Sequence, residues 1–171
     1  IMTTTGYATE DFDLWPAASR LLLVLLMFVG GCGGSTGGGI KCVRCLIVFK
    51  KMVRELGRVM RPQAVQRIKL GPETVEEKIV MNIASFFLLF VCLFALGSFV
   101  MSFYTPDLVT ATSSVAATLG NIGPGLGAVG ASQTYAFIAP TGKMVLFVCM
   151  LLGRLELYTV LLLLMPSFWR K

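Results

Sequence analysis

The ten residues GGCGGSTGGG, 30–39, contain only three side chains, Cys32, Ser35 and Thr36. Glycine loses more conformational freedom on ordering than any other residue and has no side chain to bury. A run like this cannot hold a structure alone, so its neighbours decide its fate. Before it lies an apolar run from Leu21 to Val29, and after it another from Ile40 to Phe49. Each is shorter than the roughly 20 residues a transmembrane helix needs. Together they make one crossing, broken at mid-depth. Bare backbone at that depth is tolerated only where protein or a water-filled cavity covers it. The glycine run must therefore face a cavity or a packed interior.

The rest of the chain supports a membrane setting. Charged residues make up 14% of it, against about 25% in soluble domains. The span from Ile79 to Tyr104 is interrupted only by small polar residues and reaches roughly 39 Å as a helix, enough to cross with some tilt. A last span runs from about Lys143 to Phe168 and ends in Trp169-Arg170-Lys171, an aromatic and basic interface anchor. Ten of the fifteen basic residues lie between Lys41 and Lys78. Flanking apolar blocks argue against a nucleic-acid surface, and the positive-inside rule makes this stretch a cytoplasmic loop. Of five cysteines, Cys42 and Cys45 have metal-site spacing, but the chain has no second such pair and no histidine. They read as free membrane-helix thiols. The opening residues, IMTTTG, read as the middle of a longer polypeptide, of which this would be the C-terminal part.

Thr105-Pro106-Asp107 carries helix-start chemistry, with Thr as N-cap, Pro in the first turn and Asp at the positive end of the dipole. The helix it starts, about Leu108 to Leu119, is too short to cross and stops at GNIGPGLG; a loop with Gly130, Pro140 and Gly142 follows. Parity constrains this helix. With Lys78 inside, Thr105 is outside. If Arg170-Lys171 is again inside, only the last span crosses. The short helix must then enter from outside and turn back. Residues 1–16, which are acidic, fall outside by the same count.

A helix entering from outside aims the negative end of its dipole at the membrane centre, which favours a cation. The return, Gly120 to Gly125, can aim backbone carbonyls at the same place, because glycine permits left-handed conformations. Carbonyl rings of this kind replace a cation's hydration shell. Thr3-Thr4-Thr5-Gly6-Tyr7 has similar chemistry ahead of the other crossing. A plain loop turn is the competing account of each segment, and finding both ahead of a crossing favours the pore. The two halves also align by spacing: Gly37 lies 31 residues after Gly6, and Arg154 lies 31 after Gly123. Arg154 thus sits at the level of the glycine break, with Glu156 two residues on. An arginine at such depth costs roughly 2.5–3.5 kcal/mol on insertion scales and should face a cavity with a partner.

Two apparent motifs fail on inspection. Residues 34–41 look phosphate-friendly, but Ile40 intervenes before Lys41 and no Ser or Thr follows, so they are not a Walker loop. Gly33 to Gly37 formally matches G-x-S-x-G, but that elbow needs a preceding strand and a histidine. The chain is therefore not expected to be an enzyme. On residues alone, a secondary transporter with broken helices and a non-transporting membrane subunit both remain open beside a cation pore.

The blocks TTTGYATEDFDLWP, GGCGGSTGGGIK, the basic linker ending in KLG, LGNIGPGLG and LLGRLE make the chain resemble the Trk/Ktr/HKT potassium transporters, and within them the bacterial Trk-type membrane subunit. The resemblance covers nearly the whole chain. It implies an all-α integral membrane protein of helix–re-entrant pore loop–helix repeats around one pore. This chain would hold the end of the third repeat and the complete fourth. Residues 1–16 would end the third pore loop and 17–57 form a broken inner helix with an intramembrane loop at 30–39. Residues 58–75 would be a cytoplasmic linker, 76–104 an outer helix, 105–142 the fourth pore helix, filter and extracellular loop, and 143–171 the last helix. Thr4, Thr5, Gly6 and Tyr7 would form the third filter segment and Asn121, Ile122 and Gly123 the fourth, with K+ held at Thr4, Thr5, Asn121 and Ile122. Gly33, Gly34, Ser35, Thr36, Gly37, Gly38 and Gly39 would obstruct the pore beneath the filter, working with Arg154. The fourth segment has Asn-Ile where the family form has two threonines, which leaves backbone coordination intact but not hydroxyl coordination. The resemblance also implies potassium uptake across the bacterial cytoplasmic membrane, a cytoplasmic C-terminus, a homodimer and a cytoplasmic nucleotide-binding regulatory ring. No bound cofactor, no nucleic-acid partner and contact with membrane lipid are expected.

Overall fold

The structure, a computed structural model, describes residues 1–32, 34–35, 37–60, 67–155 and 159. Gly33 and Thr36 of the glycine run lie outside the described residues. So do Arg61 and Pro62 of the linker, Glu156, and most of the last span with its Trp169-Arg170-Lys171 anchor. Five helices carry the fold: α1 (Ala17–Phe28), α2 (Cys42–Met60), α3 (Glu77–Met101), α4 (Leu108–Leu119) and α5 (Pro140–Arg154). Two minimal strand pairs interrupt an otherwise helical chain: β1 (Val29–Gly30) with β2 (Ile40–Lys41), and β3 (Lys69–Leu70) with β4 (Glu73–Thr74).

Helix α3 is, among the described residues, the one long and apolar enough to cross a membrane. Its outward leucines and phenylalanines are bare, Leu88 at 66% and Phe99 at 64% exposure. Faces like these need a bilayer or a neighbouring apolar segment over them. At 12 residues and roughly 18 Å, α4 falls well short of a bilayer's apolar core. It is nonetheless the most enclosed element. Thr110, Ala111, Ser113, Ser114, Val115, Ala116, Ala117, Thr118 and Leu119 are all buried, against α1, α3 and α5. Small side chains let these helices close in: a Cβ on Gly97 of α3 would stand 2.9 Å from a Val115 methyl. The hydroxyls of α4 are satisfied locally. Ser114 donates to the Ala111 carbonyl at 2.8 Å, Thr118 to Ser114 at 2.8 Å, and Ser113 to Leu126 at 3.0 Å. Burial therefore leaves none of these three oxygens unpaired.

Several element boundaries differ from the sequence expectation. The N-cap of α4 is Asp107, whose carboxylate accepts the Thr110 hydroxyl at 2.8 Å. Thr105 does not cap α4; its hydroxyl donates back to the Met101 carbonyl at 2.9 Å and closes the end of α3. Pro140 opens α5 rather than sitting in the loop before it, since its fixed φ suits a first helical position. Helix α2 runs through Gly57 to Met60, past the boundary drawn at residue 57. The turns before that extension are anchored to the segment that follows α2. Arg54 grips Glu77 with both amino groups, at 2.6 and 2.7 Å, and also bonds Glu55 at 3.0 Å. Lys50 donates to the Lys69 carbonyl at 2.6 Å, and Ile47, Ile68 and Val80 form a small apolar cluster beneath. Finally, α5 ends at Arg154 with Leu155 as its cap, and residues 156–158, which would carry the last span onward, lie outside the described residues.

Strands β1 and β2 pair in parallel, Val29 with Ile40 and Gly30 with Lys41. The chain leaves α1, makes an excursion over residues 31–39, and resumes beside the point it left, in the same direction. Gly30 is required there, because a Cβ would collide with the Gly38 carbonyl oxygen. The Cys42 amide and thiol seal the junction by donating to the Gly31 and Gly30 carbonyls at 3.1 and 2.9 Å.

Candidate ion pathway

Two segments on opposite sides of the sequence share one backbone pattern. Thr4 and Asn121, both at φ 54°, are the only left-handed non-glycine residues described, and each is followed two residues later by a positive-φ glycine, Gly6 at 81° and Gly123 at 109°. Each left-handed residue also donates its amide to the carbonyl three residues back, Thr4 to Ile1 and Asn121 to Thr118, both at 3.0 Å. Asparagine tolerates this region better than most residues, and a β-branched threonine tolerates it poorly. Thr4 is therefore the more strained of the two.

The two segments lie against one another. A Cβ on Gly6 would stand 2.9 Å from the Ile122 carbonyl oxygen, and one on Gly123 would stand 3.9 Å from the Gly6 Cα. In the fourth segment the turn is also a helix cap. The Ile122 amide reaches the Ala117 carbonyl at 2.8 Å, and Asn121 occupies the left-handed position after the Gly120 cap. This is the Schellman arrangement, which satisfies two of the last helical carbonyls and leaves the later ones free. The Asn121 side chain is tied to α5, its amide nitrogen donating to the Met150 carbonyl at 3.2 Å. Its task here is anchorage, which accounts for an amide where the third segment has a hydroxyl. Tyr7 is 93% exposed.

The flanks of the segments are stitched together. Asp13 accepts the Gly127 amide at 3.0 Å, and its carboxylate fills the space that a side chain on Gly130 would occupy. Asp11 accepts the Ser132 hydroxyl at 2.5 Å and the Asp13 amide at 3.1 Å. The Ser132 bond, with help from that amide, holds the Asp11 carboxyl below its ordinary value. The Tyr135 hydroxyl donates to the Gly123 carbonyl at 2.8 Å.

The glycine excursion sits directly against both segments. A Cβ on Gly37 would stand 3.1 Å from the Thr4 hydroxyl, and one on Gly38 would meet the Gly120 carbonyl and stand 3.0 Å from the Asn121 Cβ. Ser35 stiffens the excursion, its amide bonding Cys32 at 2.9 Å and its hydroxyl accepting the Gly37 amide at 3.1 Å. On the other side lies a cavity of about 360 Å³, walled by Ser35, Gly37 and Gly39, by Lys41 and Arg44, and by Gly153 and Arg154. Arg44 also stacks over the Phe86 ring at 4.4 Å. Gly34 is open to its surroundings. Gly153 brings α5 into contact, since a Cβ there would collide with the Leu119 carbonyl and approach the Asn121 amide nitrogen to 2.8 Å.

The structure thus brings Thr4, Gly6, Asn121, Ile122 and Gly123 into one place, with Gly37 and Gly38 beneath them. Arg154 shares the neighbouring cavity with Ser35, Gly37 and Gly39. Asp11, Asp13, Tyr135 and Gly153 were not singled out from sequence. Their roles depend on contacts across more than a hundred residues for the aspartates, and on one hydroxyl for Tyr135. Only the acidity of residues 10–13 gave any signal.

The whole chain, residues 1–171, matches the family model described as TrkH, cation transport protein. It is 44% identical over 171 residues to the Trk system potassium uptake protein TrkH of Halomonas elongata, covering 100% of this chain and 35% of that protein. It is 41% identical over 169 residues to the protein of the same name from Escherichia coli K12, covering 99% and 35%. Among solved structures, the crystal structure of the potassium transporter TrkH from Vibrio parahaemolyticus matches it with a TM-score of 0.88 and 40% identity, over 98% of this chain and 36% of that one. The chain spans about a third of the length of the curated relatives it matches.

Proposed function

Because the chain belongs to the TrkH family of cation transport proteins, we propose that it supplies part of the ion pathway of a potassium uptake protein in the bacterial cytoplasmic membrane. Thr4 to Tyr7 and Asn121 to Gly123 serve as two filter segments. Backbone carbonyls at Thr4, Thr5, Asn121 and Ile122 take the place of K+ hydration, as in other carbonyl-lined filters. Helix α4 acts as a re-entrant pore helix entering from outside, its C-terminal dipole end favouring the cation at Gly120. Residues 31–39 obstruct the path beneath the filter, and Arg154 adds positive charge to the cavity on the far side. The outer face carries residues 1–16 and 105–139, and the basic end of α2 lies in the cytoplasm with the C-terminus. The remaining filter segments come from portions of the protein beyond this chain. Assembly as a homodimer under a cytoplasmic nucleotide-binding regulatory ring follows the family expectation.

One observation carries this reading. The same backbone turn, a left-handed residue, one residue, then a left-handed glycine, occurs at 4–6 and 121–123, and the two copies touch. Loop turns of unrelated purpose have no reason to repeat and to face each other. The decisive experiment compares K+ and Na+ uptake by the intact transporter in proteoliposomes, for the parent, Gly6→Ser and Gly123→Ser. A lowered K+/Na+ ratio in either variant is expected, and an unaltered ratio in both removes the filter assignment.

A further inference from the structure

The two candidate filter segments are not equally supported. The fourth is braced at both ends, by the Asn121 amide on the Met150 carbonyl at 3.2 Å and by the Tyr135 hydroxyl on the Gly123 carbonyl at 2.8 Å. No hydrogen bond to the Gly6 carbonyl is found among the described residues. The third segment keeps only its internal turn and the Thr5 to Thr3 hydroxyl bond at 2.9 Å. The fourth segment therefore sets the geometry against which the third rests.

From this arrangement we infer that Tyr135 is a positioning residue for ion selectivity: its hydroxyl fixes the orientation of the Gly123 peptide and thereby the line of carbonyls offered to the ion. Three observations on the chain bear on it. Gly123 is at φ 109°, a region that a residue without Cβ enters and leaves easily. Its peptide plane is free to rotate unless something holds the oxygen. The Ile122 oxygen faces Gly6, whereas the Gly123 oxygen is turned to Tyr135. Released from Tyr135, the Gly123 oxygen can swing toward the path and add a ligand at the wrong distance. Second, Tyr135 is itself well fixed. It opens the short turn Tyr135–Phe137, its carbonyl accepts the Ile138 amide at 3.3 Å, and its ring packs on the main apolar core. Third, burial pushes its phenol up to about 12, so the hydroxyl keeps its proton at any physiological pH.

This inference rests on the reading of 121–123 as a filter segment, and the test separates the two. In the intact transporter, reconstituted in proteoliposomes, K+ and Na+ uptake are measured for the parent, Tyr135→Phe, Gly123→Ser and Phe137→Leu. Phe137 stands on the same turn with its ring 48% exposed and serves as the control for local packing. Tyr135→Phe keeps the ring and removes the donor. The expected result is a roughly two- to tenfold fall in the K+/Na+ ratio, the size of one lost hydrogen bond, with the Phe137→Leu ratio unchanged. An unchanged ratio in Tyr135→Phe beside a changed one in Gly123→Ser overturns the role of Tyr135 and leaves the filter reading standing. Unchanged ratios in both overturn the two together. If Tyr135→Phe does not reach the membrane, a fluorotyrosine placed at position 135 keeps ring and hydroxyl but donates more strongly. A shifted ratio there supports the role, and a constant one overturns it.

Discussion

Gly6 and Ile122 are separated by most of the chain, yet the carbonyl oxygen of Ile122 lies 2.9 Å from where a Cβ on Gly6 would stand. Space and φ both reserve position 6 for glycine. Gly6→Ala places a methyl against that oxygen and costs about 1–2 kcal/mol for the left-handed backbone alone. The expected outcome is a fall in the K+/Na+ uptake ratio of about tenfold. Leu14→Ala, at an exposed residue outside both segments, should leave the ratio where it is. Isotope uptake in reconstituted vesicles decides the matter.

Gly38 touches the Gly120 carbonyl and the Asn121 Cβ. A methyl added by Gly38→Ala has to push the excursion away from Gly120 and Asn121. Arg154→Ala removes a charge from the cavity shared with Ser35, Gly37 and Gly39. Both variants, and deletion within 33–39, are expected to raise K+ flux in the resting state several-fold. Resting flux equal to the parent's in all three would leave the excursion as mere packing.

Gly153→Ala tests the junction of α5 with the fourth segment. Its methyl would overlap the Leu119 carbonyl and crowd the Asn121 amide nitrogen. Overpacking of this kind costs about 1–3 kcal/mol. A lowered melting temperature of the detergent-solubilised protein is expected, with weaker K+ affinity as the Asn121–Met150 bond is strained. Gly34→Ala, where a Cβ meets open space, should show neither effect.

Asp11 supplies a pH-dependent link. Its carboxylate accepts the Ser132 hydroxyl, and that bond lowers its pKa from 3.8. A group depressed in the folded state stabilises fully above its unfolded value and loses that contribution as pH falls through the folded value. Ser132→Ala should therefore melt slightly below the parent at pH 7. That gap should close as pH drops below 3.8. A gap that persists in acid would mean that Ser132 acts through packing.

The helices were legible because apolar runs and their punctuation are local. The α4 bounds, Leu108–Leu119, follow from a short apolar stretch ending at glycine. Potassium-transporter kinship was legible in five distinctive blocks, and the chain does belong to that family. Caps were less legible. Thr105 and Asp107 both carry N-cap chemistry, and only the fold reveals that Thr105 serves α3 while Asp107 starts α4. Pro140 was hidden in the same way, since proline marks both loops and helix starts. The match of 4–6 with 121–123 could be suspected from two glycines, whereas the left-handed Thr4 could not, because threonine gives no hint of that conformation. The Tyr135 and Asp13 contacts are set by tertiary geometry, to which no local pattern points.

The parallel pairing of Val29 with Ile40 has a consequence for how this region can vary. Residues 31–39 form a detour whose two ends stand together, so the scaffold is indifferent to the detour's length. For a flexible closed loop, doubling the length costs only about 0.6 kcal/mol. Insertions and deletions there leave the register of every helix untouched, while substitutions at Gly30 or Gly153 do not. The pinch point therefore carries the scaffold, and the detour's length answers only to its own contacts with Thr4, Gly120 and Asn121.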